Sequence, residues 1–346
     1  MNRITTAGDL EAIIGRPADL ILAKELPALD DAARHVLATA PIAGFGYLDA
    51  AGRPCTTLVG GRPGFAESAS PTRIVIPADV DADGPVSFVF LMPGVGETLR
   101  LNGTVAARTP GRLAITVEQV YIHCARAILR SRLWETASPA APAMPSTDGP
   151  LAGPRVAGFL AAAPFLVVST WDGAGGDTSP RGDLPGFVRV LDGRTLAIPD
   201  RRGNKRADTA HNLLVDARIS AAMLVPGRTE VLHISGTAYL TDDPALLADM
   251  ALGSAVPQTA LIVTVALAEV RRSDAIAAGR IWDRAGHADA DTARTLMALS
   301  ARQIGEMKPA LRWLGKPLSA LARPMQWLLD RSYRRALKNE GYGDRA

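Results

Sequence analysis

Leu91-Met92-Pro93-Gly94-Val95-Gly96-Glu97-Thr98-Leu99-Arg100-Leu101-Asn102-Gly103-Thr104 returns later in the chain as Leu224-Val225-Pro226-Gly227-Arg228-Thr229-Glu230-Val231-Leu232-His233-Ile234-Ser235-Gly236-Thr237. The blocks around it repeat in the same order. Arg130-Ser131-Arg132-Leu133-Trp134-Glu135 is answered by Ala278-Gly279-Arg280-Ile281-Trp282-Asp283, Pro63-Gly64-Phe65 by Pro185-Gly186-Phe187, and Ile76-Pro77 by Ile198-Pro199. A duplication of this length predicts two similar domains in tandem, a pseudo-dimer within one chain, rather than a short-period solenoid. Sites of symmetric dimers often lie between subunits, and fusion frees one of two equivalent sites to decay.

The 346 residues leave room for two domains of ordinary size and an appendage. With 47% apolar and 21% charged residues the composition is that of a folded globular chain. No run of about 18 uninterrupted apolar residues occurs, so no spanning helix is expected. Residues Met1 to Thr6 lack a signal-peptide core, and a cytoplasmic location is expected. Cys55 and Cys124 fit neither a disulfide framework nor a zinc spacing and read as small buried hydrophobes. The net charge of +3 conceals an asymmetry: from residue 301 onward ten Lys/Arg face four Asp/Glu, so the first 300 residues are slightly acidic. Because the basic character belongs to the tail, the body of the chain is not expected to bind nucleic acid.

The pattern predicts an α+β fold, mainly β. Helices are expected at residues 5–40, with Thr5 or Thr6 as cap and Leu10, Ile13 and Ile14 on one face, and around Leu29 to Leu37. Short runs rich in Val, Ile, Thr and Phe follow from Ile42 to Val117, separated by turn signals as in a small antiparallel barrel. Val120 to Leu133 reads as helical, and Ser138 to Pro150, rich in Ala, Pro and Ser, reads as a linker. The second copy predicts a helix at Val156 to Ala163 and strands at Phe165–Thr170, Val188–Asp192, Thr195–Ile198, Ile219–Leu224, Glu230–Leu240 and Ala260–Val265. Helices are expected at Arg206–Val215 and Val270–Ile281. The domains are then 1–137, a linker 138–152, 153–287, and a basic helical tail 288–346. In the tail Ile304, Met307, Leu311, Leu314, Leu318, Leu321, Met325 and Leu328 form a helical stripe broken by Pro309, Pro317 and Pro324. Trp313 and Trp327 among the Lys and Arg allow a membrane-surface reading; the alternative is an extension packed on its own barrel or on a partner.

The strongest chemical signal is Ser179-Pro180-Arg181-Gly182-Asp183-Leu184-Pro185-Gly186-Phe187, followed by Ile198-Pro199-Asp200-Arg201-Arg202-Gly203-Asn204-Lys205-Arg206-Ala207-Asp208-Thr209. Four cations around a glycine just before a helix make a phosphate site, or else a solvated basic turn. There is no Walker lysine pattern, no Ser-His-Asp order and no metal-ligand spacing. The motif order resembles the pyridoxamine 5′-phosphate oxidase-like family, in particular a bacterial branch of FMN-dependent enzymes. Pro164-Phe165, Ser179 to Val188 and Ile198 to Asn212 carry it in the second copy. The hairpin at Met92 to Gly103 and the run His123 to Trp134 carry it in the first.

The resemblance implies split β-barrels with FMN in the cleft between them, and electron or hydride transfer to a small organic substrate with oxygen or NAD(P)H as redox partner. It implies that Arg202, Asn204, Lys205 and Arg206 hold the phosphate with Arg201 beside them, while Ser179, Arg181 and Asp183 approach the ribityl chain or ring edge. The other barrel would contribute Glu97, Arg100, His123, Arg130, Arg132 and Trp134. Arg181 is the candidate for stabilising an anionic reduced flavin, and His123 the candidate acid or base. The first copy has Thr57-Leu58-Val59-Gly60-Gly61 in place of Ser179 to Asp183 and an acidic segment, Ala78 to Pro85, in place of the basic loop, which would repel a phosphate. In the second copy Arg271, Ala278 and His233 stand where the first has His123, Arg130 and Arg100. One composite site is expected and its symmetry mate should be lost. The competing reading is a non-catalytic flavin- or haem-binding scaffold with a partner-binding tail.

Overall fold

In the computed structural model the described residues are 2–143, 146–288, five positions between 292 and 299, and 322–342. After α1 (Ala7–Ile14), α2 (Asp19–Leu22) and α3 (Asp31–Thr39) comes a first set of strands: β1 (Ile42–Asp49), β2 (Pro54–Gly60), β3 (Glu67–Ser70), β4 (Arg73–Pro77), β5 (Ala82–Leu91), β6 (Thr98–Thr109) and β7 (Arg112–His123). They form one antiparallel sheet in the order β2-β1-β5-β6-β7-β4-β3. Next come α4 (Arg126–Ser131), α5 (Pro154–Ala162), β8 (Phe165–Trp171), β9 (Gly176–Gly182), β10 (Arg189–Val190), β11 (Thr195–Asp200), α6 (Asp208–Val215) and β12 (Arg218–Leu224). The half ends with β13 (Glu230–Thr241), α7 (Pro244–Asp249), β14 (Thr259–Arg272) and α8 (Asp274–Gly279). Its sheet runs β9-β8-β12-β13-β14-β11-β10, the first order strand for strand. The chain is thus mostly β with some helices, built as two equivalent seven-stranded antiparallel sheets in tandem.

The strands at the seam are buried on both faces. On β5, Val86, Phe88 and Phe90 enter the first half's core, where Phe45 stacks on Phe88 at 4.6 Å. The alternate residues Val89 and Leu91 face the other half. On β12, Ile219, Ala221 and Met223 likewise point into their own core and Ala222 and Leu224 into the seam. This explains why these strands read as nearly continuous apolar runs. Hydroxyls close the middle of the seam: Thr56 bonds Ser169 at 2.8 Å and Ser220 at 2.6 Å, and Thr178 bonds Ser87 at 2.7 Å and Ser169 at 2.8 Å. The shared registers make Gly44 and Gly46 the counterparts of Val167 and Ser169. A Cβ on Gly44 would lie 2.8 Å from Val167 Cγ2, and one on Gly46 would lie 2.3 Å from Ser169 Oγ. One copy therefore supplies a side chain where the other leaves the space.

The ends of the chain cross over. Ile4 donates its N–H to Leu240 at 2.9 Å, and Leu10 and Ile14 pack in the second half's core. Ala288 donates to Pro93 at 2.8 Å and Leu296 packs in the first half's core. The stretch 2–15 thus joins the second half in space, although Thr6 caps α1 and its apolar face is the one expected. Other expectations are corrected by strand pairing. Val120, Tyr121 and Ile122 continue β7 against β6 instead of forming a helix, and α4 is only one and a half turns. Val270 likewise belongs to β14, with a short α8 after it. In both cases β-branched and aromatic residues find a cross-strand partner that outweighs the helical spacing. Strand β10 is shorter than expected, while β9 and α7 were not anticipated. The stripe from Ile304 to Leu321, with Trp313, lies outside the described residues; Ala322–Asn339 forms a helix, α9. No described helix is long and apolar enough to cross a membrane.

Gly44→Ala and Val167→Ala should each lower stability, by about 1–3 kcal/mol for overpacking and by a similar amount for the lost methyls. The double variant should be more stable than the sum of the two by at least about 0.5 kcal/mol, read from thermal or urea unfolding.

Candidate functional site

A cleft of about 760 Å³ opens where the two halves meet. The second half supplies Ser179 to Asp183 from the end of β9 and residues 199–209 leading into α6. The first supplies Arg100 from β6, His123 from β7, and Arg126 and Arg130 from α4. Helix α1 closes one wall with residues 12–15, and α9 another with Ala336, Asn339 and Glu340. Gly182 sets the approach of α4, since a Cβ there would stand 1.9 Å from the carbonyl oxygen of Ala127.

An ion network ties the halves together beneath this cleft. Arg100, 2% exposed, donates from Nη2 to Asp177 at 2.6 Å and from Nη1 to Asp208 at 2.7 Å. Asn102 and Asn212 donate to Asp177 at 2.7 and 3.0 Å, and the Tyr121 hydroxyl donates to Asp208 at 3.1 Å. Both Arg100 and Arg206 lie over the Tyr121 ring, at 5.1 and 4.3 Å. Burial raises the Asp208 carboxyl, but the Arg100 and Arg206 guanidiniums outweigh it and hold the group well below the usual carboxylate range.

The loop from Arg201 to Ala207 carries most of the cleft's positive charge. Lys205 and Ala207 adopt left-handed backbone, φ 62° and 54°, a costly conformation for residues other than glycine. Asn204 Oδ1 accepts the Arg206 N–H at 3.1 Å and shapes the bend. Arg201 is paired with Asp183 at 2.6 Å, and Arg181 lies 3.5 Å from Asp200 and donates to Thr209 at 3.2 Å. Arg206 is held by Asp208 at 3.1 Å and Glu25 at 2.9 Å, leaving its buried Nη1 unpartnered. The side chains of Arg202 and Lys205 have no partner among the described residues. These two cations are available to an anion. His123 is half-buried at the cleft with its Nδ1 buried and unpartnered. Burial, reinforced by Arg100 and Arg181, pushes its imidazole down to about 3, so it is neutral near pH 7.

Three residues expected at the cofactor do not line the cleft. Trp134 packs on Trp282 at 5.9 Å and donates its indole N–H to the Val95 carbonyl at 2.8 Å; Trp282 makes the same bond to Arg228 at 2.7 Å. Arg132 is the left-handed end of α4, as Arg280 is of α8, and pairs with Glu135 at 2.6 Å. Glu97 sits at the start of the β6 hairpin, where the other copy has Glu230. All three types occur in both copies and maintain the common scaffold. Arg100, His123 and Arg130, each replaced in the other copy, do line it. Sequence reasoning missed Arg126, Asp177, Asp208, Glu25, Glu340 and Tyr342. Arg126 carried the usable signal, standing opposite Asp274 in the repeat; the others lie far apart in sequence from their partners.

The equivalent cleft on the other side of the seam is about 310 Å³ and is lined by Thr57, Leu58, His233 and Arg271, with Tyr47 and Cys55. It has no counterpart of the basic loop or of α6, because β4 passes to β5 through residues 78–81 alone. Among the described residues no group of His, Cys, Asp and Glu is placed to hold a metal ion.

Residues 152–277, in the second half of the chain, match the family described as Pyridoxamine 5'-phosphate oxidase. Solved structures with local likeness include HupZ of Group A Streptococcus, at 20% identity over 33% of this chain and 90% of that one, TM-score 0.28. Another is general stress protein 26 of Bacillus anthracis, at 11% identity over 33% and 92%, TM-score 0.26. A third is a protein of Clostridium acetobutylicum related to general stress protein 26 of the pyridoxinephosphate oxidase family, at 12% identity over 33% and 83%, TM-score 0.26. No curated protein matches the chain.

The His123 imidazole should show no titration by NMR between about pH 5 and 8. An unfolded histidine takes up a proton near pH 6.5, whereas folded His123 refuses it until about 3, so its contribution to stability is full above about 6.5 and is lost as pH falls. His123→Asn should flatten that part of the stability–pH curve. Arg100→Met should cost about 3–5 kcal/mol in urea unfolding, since it leaves half-buried Asp177 without its cation and Asp208 with Arg206 alone.

Proposed function

We propose that the large cleft holds FMN and that the chain is an FMN-dependent oxidoreductase with one flavin per chain. It acts on a small organic substrate, with oxygen or NAD(P)H as the second redox partner. The observation that carries this reading is the pair Arg202 and Lys205, two partnerless cations on a strained loop at the cleft. A phosphate dianion satisfies both through charge-assisted hydrogen bonds. The volume suits a ligand of this size, as pockets of roughly 300–1,000 Å³ do.

Each side chain then has a bounded task. Arg202 and Lys205 grip the phosphate, Asn204 fixes the loop, and the free Nη1 of Arg206 offers one further donor. Ser179 and Arg181 line the cleft from β9, where Arg181 would supply a positive charge to a bound flavin. Asp183 is engaged by Arg201, so it positions that arginine instead of meeting the ligand. Flavin, when bound, supplies the hydride and electron chemistry. His123, neutral at working pH, can exchange one hydrogen bond but cannot lend a charge. A neutral imidazole at the cleft also suits a haem iron, which absorbance spectra of the loaded protein distinguish from flavin.

Titration with FMN, followed by quenching of its fluorescence, should give one site per chain. Replacing Arg202 and Lys205 together by Ala should weaken binding by about a hundredfold or more. Trp134→Phe should leave FMN affinity unchanged while lowering the melting temperature. Equal losses from both changes, or two sites per chain, contradict the composite site.

A further inference from the structure

Helix α9 places a carboxylate in the cleft. Glu340 accepts from Arg130 Nη2 at 2.5 Å and Nε at 2.9 Å and lies 3.6 Å from Arg126. Arg126 and Arg130 stand one turn apart on α4 and both also donate to the backbone carbonyl of Arg202, at 3.1 and 2.5 Å. Arg130 is 6% exposed, so two nearby guanidiniums on the cleft wall depend on one carboxylate from a distant part of the chain. Two residues further on, the Tyr342 hydroxyl donates at 2.8 Å to the buried Asp183 carboxylate, on the oxygen that also accepts the Leu184 N–H.

The arginine pair has no role in the common scaffold. Its equivalents in the second copy are Asp274 and Ala278, and α8 forms there without them. The cleft thus has one set of cations open to a ligand, Arg202 and Lys205, and a second set covered by the chain's own acid. We infer that Arg126 and Arg130 form an anion subsite, for a carboxylate or phosphate group of a ligand, and that Glu340 occupies it until the ligand displaces it. The inference rests on the reading of this cleft as the ligand site, though not on the ligand being FMN. Glu340 acts as a tethered competitor: bound intramolecularly, it sets a threshold affinity that an incoming anion must exceed. Tyr342 holds the helix in place through a neutral contact while the exchange is made.

Inorganic phosphate is the probe, titrated by calorimetry into the full-length chain. In a background carrying Arg202→Ala and Lys205→Ala, E340Q should bind phosphate about tenfold more tightly than the same background with Glu340 intact. Adding Arg130→Gln should abolish the gain. Y342F, which loosens the helix and leaves every charge in place, should give a smaller gain in the same direction. Melting temperatures confirm that each variant is folded. Unchanged phosphate affinity in both folded E340Q and folded Y342F overturns the inference, as does a gain that survives Arg130→Gln. The source of the anion follows from two flavins tested with Arg202 and Lys205 present. If E340Q tightens FMN but not riboflavin, the displaced carboxylate competes with the cofactor phosphate. If it alters neither yet tightens phosphate on flavin-loaded protein, the subsite belongs to the substrate. Failure of FMN to bind any variant refutes the flavin reading and leaves the phosphate result standing.

Discussion

Arg100 reaches from one half of the molecule into the other and is held there between Asp177 and Asp208. A charge so deeply buried is tolerable only with its carboxylates in place, and Asp177 has no other cation in contact among the described residues. The network therefore fixes how the two sheets sit, and much else follows from that position. It brings α4 against Gly182, α4 then grips the carbonyl of Arg202, and the basic loop is held facing the first half. Asp208 is also the first residue of α6 and a partner of Arg206, so the same contact anchors the end of the loop. Seam, loop and cleft are consequences of one placement.

Much of this was legible because the chain contains its own comparison. The hairpin repeat predicted two equivalent halves, and the mismatches between copies pointed to Arg100, His123 and Arg130. Trp134, Arg132 and Glu97, also expected at the cofactor, lie outside the cleft lining, and the same repeat carries Trp282, Arg280 and Glu230. Retention in both copies marks a residue needed by the scaffold, and loss from one copy marks a residue freed from that need. The helices expected at Val120 to Leu133 and Val270 to Ile281 failed for a different reason. Their spacing fits a helix, but Tyr121 and Val270 have partners on strands that local periodicity cannot see. Nor could it show that Glu25 approaches Arg206 or that Glu340 and Tyr342 return to the cleft, since these contacts join residues more than a hundred positions apart.

The charge balance of the cleft depends on this arrangement. Arg100, Arg201 and Arg206 are paired with acids that the fold itself supplies, and Arg126 and Arg130 share the single carboxylate of Glu340 just past α9. Arg202 and Lys205 alone among the clustered cations keep their side chains without a partner in the described residues. The local density of positive charge in the sequence overstates what a ligand meets. The electrostatics that matter are those of two side chains on a loop whose conformation is costly, and that cost is met by contacts from three separate parts of the chain.

The small-against-large fit at the seam has a consequence for how this molecule relates to copies of itself. In a symmetric dimer a residue on the axis faces its own twin. Here Gly44 faces Val167 and Gly46 faces Ser169, so two first halves would leave a hollow at those points and two second halves would collide. At these points the seam fits unlike halves better than like ones. The covalent link between them is reinforced by a lock-and-key identity, and a return to independent, self-pairing units would require paired changes whose single steps both loosen the molecule.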